Sequence, residues 1–183
     1  MRREPDVFAG GGTTHLILEV LAYAADEAEW TSGPGRCRVT LHADGSVSVA
    51  DSGRGTDTRH DAERQPIKKP VMATKDLRFF DSPCAQQLPD GHPRRGMSVV
   101  AALSPWLVHT NRRRNGAWTQ RYEHGLPVTD LRAIPDQDTT GTTVRFRPAD
   151  TVRSMAEVSP SVLRRLTAAW PQLAVEVIDE RTV

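Results

Sequence analysis

Cysteine and lysine are scarce in this sequence, and each scarcity excludes a class of protein. The 183 residues include two cysteines, Cys37 and Cys84, too few for a disulfide-rich fold and without the spacing partners of a zinc site. Of the 24 basic residues only three are lysines, and the formal net charge is +1. A near-neutral chain is not a basic nucleic-acid coat, so we expect no direct DNA binding.

Long hydrophobic runs are also missing. No stretch approaches 18 apolar residues, and the chain begins with Met1, Arg2 and Arg3 without an apolar signal core. We therefore expect a cytoplasmic protein with no membrane partner. One dense basic cluster, Arg112 to Arg114, is either an exposed hairpin end, which is the favoured interpretation, or a contact to a phosphate backbone. A hydrophobic content of 38% is typical of a globular core, and the length predicts a single domain over residues 1–183.

Hydrophobic periodicity predicts an α+β fold. Residues 14–28 have helical spacing, and residues 37–51 alternate around the turn Ala43-Asp44-Gly45 as a β-hairpin does. Further elements are predicted in order: helix 97–103, strands 106–112, 117–123, 128–134 and 142–147, a helix from Pro160 and strand 173–178. A long polar, lid-type loop covers about 56–96. This order predicts a two-layer sandwich.

Two groups of residues are candidates for chemistry. His15 and Glu19 are four apart on the first helix, where a carboxylate beside an imidazole is either a general base or an ordinary surface ion pair. Asp51-Ser-Gly-Arg-Gly55 follows a predicted strand. Its carboxylate can accept a hydrogen bond from an amine, and its glycines let the backbone approach a flat ligand closely; a plain strand-end turn is the alternative.

Taken in order, the motifs resemble the ATPase domain of the DNA gyrase B protein and its topoisomerase IV relative, which are GHKL ATPases with the Bergerat fold. The likeness is carried by His15 to Glu19, Asp51 to Gly55, Tyr122-Glu-His-Gly125 and Thr140-Gly-Thr142. It implies a mixed, mostly antiparallel sheet covered by helices on one face. With 183 residues there is no room for a complete topoisomerase polypeptide, so we expect a stand-alone domain without full topoisomerase activity.

The resemblance implies roles for individual residues. Glu19 is the general base for water and His15 supports it, while Asp51 accepts from the adenine amine and Thr142 adds a second polar contact. Glu27 and Arg54 form an ion pair beside the pocket. The other implied nucleotide-binding residues line the base, allow close backbone approach or lie in the lid: Val20, Ala24, Val49, Met72, Val144, Gly53, Gly55, Arg94, Arg95 and Gly96.

Two departures from the family pattern bear on catalysis. Tyr23 stands where the family has a magnesium-coordinating Asn, and a phenol is a poor ligand for this hard cation, which puts magnesium binding in doubt. The Gly-rich lid is replaced by Gly91-His-Pro-Arg-Arg-Gly96, in which Pro93 lacks an amide donor. Arg94 and Arg95 either hold phosphate through charge-assisted bonds or form a solvated basic loop, which is the favoured interpretation.

Three hypotheses follow. The first is a protein that binds ATP or ADP around Asp51 with weak or no hydrolysis, because phosphoryl transfer depends on the metal and on positioning. The second is a slow ATPase with Glu19 as general base. The third is a regulatory or interaction module that uses the fold without nucleotide and binds another protein or a small aromatic ligand.

Overall fold

The computed structural model describes residues 10–30, 33–57, 62, 86–135 and 137–181. The helices are α1 (Gly12–Ala28), α2 (Met97–Ala102), α3 (Asp150–Arg153) and α4 (Pro160–Thr167). The strands are β1 (Gly35–Leu41), β2 (Val47–Asp51), β3 (Trp106–Arg113), β4 (Gly116–Glu123), β5 (Leu126–Pro127), β6 (Arg132–Ala133), β7 (Gly141–Arg147) and β8 (Leu173–Asp179). Met72 and most of the lid-type loop lie outside the described residues.

All eight strands belong to one sheet in the order β5-β4-β3-β7-β2-β1-β8, with β6 paired to β4. The β1–β8 pair is parallel and the other pairs are antiparallel. The predicted class, a two-layer α+β sandwich with a mixed, mostly antiparallel sheet, is confirmed.

Helix α1 is the centre of the core. Leu16, Ile17, Leu18 and Leu21 are fully buried, although they point in different directions around the helix. A helix that is apolar all round must be covered on several sides. The sheet covers α1 on one side, and α2 and α3 contact it elsewhere. Side chains that α1 directs toward the sheet or toward α2 therefore pack against these elements.

The two faces of the sheet differ in polarity. In β7, Val144 and Phe146 are buried while Arg145 between them is exposed, as the alternation of a strand requires. In β3, Leu107 and His109 are likewise buried beneath the helices. The helices thus cover one face and leave the other to solvent. Within the described residues, no helix combines the length and apolarity needed to cross a bilayer.

The prediction of one strand over 128–134 is wrong. The chain forms two short strands, β5 and β6, that flank an irregular stretch. There the side chain of Thr129 accepts from the Arg121 N–H at 3.0 Å, and its carbonyl accepts from Gln120 Nε2 at 3.0 Å. At this point side-chain hydrogen bonds take the place of the backbone hydrogen bonds between strands. The alternation of apolar residues in the sequence does not reveal that these two kinds of hydrogen bond compete. The hairpin expected at Arg112 to Arg114 is present between β3 and β4, and Arg114 is exposed. Arg112 and Arg113 are half-buried, and Arg113 Nη1 donates to the Gly55 carbonyl at 2.9 Å.

Candidate functional site

A cavity of about 390 Å³ lies between α1 and the inner face of the sheet. Its apolar walls come from α1, β2 and β7, through Val20, Ala24, Val49 and Val144, with Met97 of α2 added. The first four were predicted to line a base pocket, and the structure brings them together. A few polar groups converge on these walls, as in most small-molecule sites.

Asp51 is the carboxylate of this cavity. It ends β2, and its Oδ1 accepts from the Gly53 N–H at 2.8 Å. Burial raises the pKa of Asp51, and hydrogen bonds from Gly53 and from the backbone and hydroxyl of Thr142 oppose that rise. Thr142 also lines the cavity. A half-buried carboxylate and a hydroxyl on apolar walls select a flat ligand with a hydrogen-bond donor at its edge.

Gly53 and Gly55, which were expected to allow close approach of a ligand, both lie tightly against atoms of the protein, and Gly55 also lines the cavity. A Cβ on Gly53 would lie 2.7 Å from Glu27 Oε2 and 2.9 Å from Asp51 Oδ1. A Cβ on Gly55 would collide with the Arg112 carbonyl. The two glycines therefore make room for the protein's own atoms. The predicted Glu27–Arg54 ion pair is present, with Arg54 Nε 3.1 Å from Glu27 Oε1.

Glu19 and His15 are buried, so a surface ion pair is the wrong interpretation of this motif. Glu19 Oε1 accepts from the Arg95 N–H at 2.5 Å, and Oε2 accepts from the Gly96 N–H at 2.8 Å. His15 Nε2 lies 3.3 Å from Glu19 Oε1, and His15 Nδ1 lies 2.8 Å from Asp90 Oδ2. We call these five residues the His15 cluster.

At neutral pH the His15 imidazole in the His15 cluster is protonated on both nitrogens and positively charged. Burial opposes a charge on His15, but hydrogen bonds to Asp90 and Glu19 outweigh it and raise the pKa to about 9. The same bond to His15 contributes to lowering the pKa of Asp90, against the effect of burial. An imidazolium between two carboxylates ties α1 to the segment 90–96.

This arrangement holds Glu19 away from the cavity. Glu19 and His15 do not line it, and both Glu19 oxygens are already occupied by backbone N–H groups. A general base must come within hydrogen-bond reach of the water that it activates. In the described conformation Glu19 instead binds the backbone of the segment 95–96 and the His15 ring.

Arg94 is not part of a solvated basic loop: its side chain is 1% exposed. The guanidinium binds Asp26 with both terminal nitrogens, at 3.0 and 2.8 Å, and also donates to Gln86 Oε1 at 3.0 Å. It stacks over the Tyr23 ring, 4.8 Å from the ring centre. The cation predicted to meet phosphate is thus engaged inside the protein.

The surroundings of Tyr23 do not fit a magnesium ion. The Tyr23 hydroxyl accepts from the Met97 N–H at 3.4 Å, and the Arg94 guanidinium covers its ring. A divalent cation needs several hard oxygen ligands and is repelled by a guanidinium. Among the residues that the structure describes, no group of three or more His, Cys, Asp or Glu side chains forms a metal-ligand set.

Sequence reasoning missed several residues that line the cavity: Asp26, Trp30, Thr56, Met97 and His109. Burial lowers the pKa of His109 to about 4, so its ring is neutral, and it packs edge-on against Trp118 at 4.9 Å. Its place in the alternation of β3, between Leu107 and Asn111, was the available signal. For Asp26 the sequence held no comparable signal, because its partner Arg94 is distant in sequence.

The chain is similar over nearly its whole length to curated proteins of one kind. It is 35% identical to the DNA gyrase B protein of Thermotoga maritima over 98% of this chain, and 33% identical to that of Haloferax volcanii over 100%. It is 31% identical to the DNA topoisomerase 4 B protein of Bacillus subtilis over 99%. The chain spans 29%, 30% and 29% of these relatives' lengths, respectively. No protein-family model matches it.

Proposed function

Because this chain belongs to the family of the gyrase B and topoisomerase IV B proteins, with the fold of a gyrase-B-like ATPase domain, we propose that it binds an adenine nucleotide beside Asp51 and hydrolyses ATP weakly or not at all. The observation that carries the proposal is the half-buried Asp51 carboxylate on the apolar walls of the cavity.

Binding follows from the chemistry of these groups. The adenine ring packs between Val20 and Ala24 on α1 and Val49 and Val144 on the sheet, where its faces leave water. Its exocyclic amine donates to Asp51, which the apolar surroundings make a strong acceptor. The Thr142 hydroxyl supplies the second polar contact at the ring edge. A base without an amine at this place leaves the carboxylate without that partner.

The binding experiment compares ADP with IDP by calorimetry. IDP carries a carbonyl in place of the adenine amine, so we expect it to bind much more weakly than ADP to the unaltered protein. Asp51→Asn should weaken ADP binding by roughly 1.5–3 kcal/mol, the range for a hydrogen bond to a charged group, and abolish the preference over IDP. Asp150→Asn, an exposed carboxylate of α3 outside the cavity, is the matched control. Equal binding of ADP and IDP to the unaltered protein would refute the role of Asp51.

Weak or absent hydrolysis is supported by the occupied Glu19 carboxylate and by the unsuitable surroundings of Tyr23. We expect phosphate release from ATP with magnesium to be equal in the unaltered protein and in Glu19→Gln, which keeps the shape of the side chain. Release that the substitution abolishes, while ADP still binds, would instead establish a slow ATPase with Glu19 as general base.

A further inference from the structure

Asp26 is a carboxylate of the cavity that the proposed function leaves without a role. It lies on α1 and borders the same cavity as Asp51, and its side chain is 42% exposed, so a ligand can reach it. Both of its oxygens accept from Arg94, Oδ1 from Nη1 at 3.0 Å and Oδ2 from Nη2 at 2.8 Å. A carboxylate has about four lone-pair sites, so these two bonds leave each oxygen able to accept again.

Arg94 holds the Asp26 carboxylate in one orientation. A guanidinium that makes two parallel hydrogen bonds to a carboxylate fixes its plane as well as its position. The guanidinium is itself almost fully buried, donates to Gln86 Oε1 at 3.0 Å and stacks over the Tyr23 ring at 4.8 Å from the ring centre. A ligand that meets Asp26 therefore finds an acceptor already in place, which lowers the cost of ordering the site on binding.

Asp26 borders a different part of the cavity from the base. An α-helix has about 3.6 residues per turn, so Asp26 is rotated about 120° from Val20 and about 160° from Ala24 around α1. All three border the cavity, and Asp26 therefore lines a flank of it rather than the apolar walls. Its partner Arg94 belongs to the segment before α2, whereas Asp51 ends β2, so the two carboxylates approach a ligand from different elements.

The structure of adenine nucleotides matches this separation. The sugar is attached to the adenine ring system at the end opposite to the amine. An amine that donates to Asp51 therefore directs the sugar away from the end of β2 and toward the flank with Asp26. The hydroxyl groups of a ribose are hydrogen-bond donors, and a carboxylate is an acceptor for them.

We infer that Asp26 accepts a hydrogen bond from a ribose hydroxyl and that Arg94 is the positioning residue that orients it. The inference rests on the proposed function, which places the base beside Asp51. A hydrogen bond to a charged acceptor is stronger than one to a neutral acceptor, so this contact contributes to specificity. The site therefore selects ribonucleotides over nucleotides whose sugar lacks hydroxyl groups.

The test is calorimetric titration of the full chain with ADP and with its dideoxy analogue, which has the same base and phosphates but neither sugar hydroxyl. We expect ADP to bind about tenfold tighter, the low end for a hydrogen bond to a charged group, because Arg94 still partners the carboxylate when the hydroxyl is missing. Equal affinities within about twofold, in a protein that still prefers ADP to IDP, overturn the inference and leave the proposed function standing. Failure of ADP, IDP and the dideoxy analogue to bind would overturn both.

Asp26→Asn removes the charge of the acceptor and keeps its shape. The preference for ADP over the dideoxy analogue should fall to less than about threefold, while the preference for ADP over IDP, which depends on Asp51, stays unchanged. Glu29→Gln is the matched control, because this exposed carboxylate at the end of the same helix accepts from Gln172 at 3.2 Å and does not border the cavity. A sugar preference in Asp26→Asn equal to that of the control contradicts the role of Asp26.

Arg94→Lys tests the positioning role. Lysine keeps a positive charge beside Asp26 but cannot make two parallel hydrogen bonds to it. The preference for ADP over the dideoxy analogue should fall by at least about threefold, with the preference for ADP over IDP unchanged. If Arg94 only supported the fold, the substitution would weaken binding of all three nucleotides by the same factor, and that result would overturn its positioning role.

Discussion

At the scale of single residues, Gly141 shows how closely β7 and β2 approach beside the cavity. Its φ is +138°, and a Cβ there would collide with the Asp51 carbonyl, which belongs to the backbone and cannot turn aside. Gly33 has the same φ of +138°, but none of the described residues has an atom within 4 Å of the corresponding position. Substitutions at Gly33 and Gly141 therefore separate the energetic cost of backbone strain from that of steric collision.

We expect Gly33→Ala to lose about 1–2 kcal/mol of unfolding free energy, through backbone strain alone. Gly141→Ala should lose about 1–3 kcal/mol more, because the new methyl group forces β7 away from Asp51. Urea denaturation of both variants measures the difference. Equal losses would mean that the sheet adjusts to the methyl group without cost.

The apolar residues that the resemblance implied around the base share a simple property. Val20, Ala24, Val49 and Val144 face the cavity because helical and strand periodicity decides which side chains point inward. Arg94 was misjudged because nothing local marks an arginine as buried, and its partner Asp26 lies 68 residues earlier in the chain. Periodicity thus predicts the apolar walls of the cavity, whereas polar pairs between residues distant in sequence can be identified only once the fold is known.

At the scale of elements, the His15 cluster joins α1 to the segment before α2, and its strength depends on pH. The folded pKa of His15 is about 9, above the ordinary value of 6.5. A raised histidine pKa stabilises the folded state fully below the unfolded value, and the stabilisation is lost as the pH rises through the folded value. The free energy of unfolding should therefore fall between about pH 6.5 and 9, by at most about 3 kcal/mol.

His15→Gln provides the comparison for this pH dependence. Glutamine keeps a hydrogen-bonding side chain but cannot bind a proton, so its unfolding free energy should be nearly flat over this range. Burial raises the pKa of Cys37, which stays a thiol in the folded protein, and its titration on unfolding affects both proteins alike. Parallel curves from chemical denaturation of the two proteins would contradict a charged His15.

Most elements were predictable from the sequence, but their connections were not. Helix α1, the β1–β2 hairpin and α4 follow from apolar spacing and from turn and proline signals. The parallel pairing of β1 with β8 joins segments far apart in sequence, and no local pattern encodes it. The short helix α3 was missed because four residues are too few for periodicity to register.

At the scale of the whole molecule, ligand binding should appear as thermal stability. A ligand that binds only the folded state at about 100 times its Kd adds about 2.7 kcal/mol to the free energy of unfolding. For a chain of this size we expect ADP under these conditions to raise the Tm by roughly 5–10 °C. Asp51→Asn at the same ADP concentration should show less than about half of this shift, while Asp150→Asn shows all of it. Equal shifts in the two variants would mean that ADP binds elsewhere.

The β1–β8 pairing also has a consequence for the kinetics of folding. Partners such as Arg38 and Glu176 on these strands are 138 residues apart, so β1 gains its second neighbour only after β8 has been synthesised. Until then the apolar side of α1 that packs on β1 and β8 lacks part of its cover. Such distant pairings slow folding and leave intermediates exposed to aggregation. A folding intermediate in which β8 has not yet paired with β1 therefore exposes apolar surface of α1, and such a species is prone to aggregate.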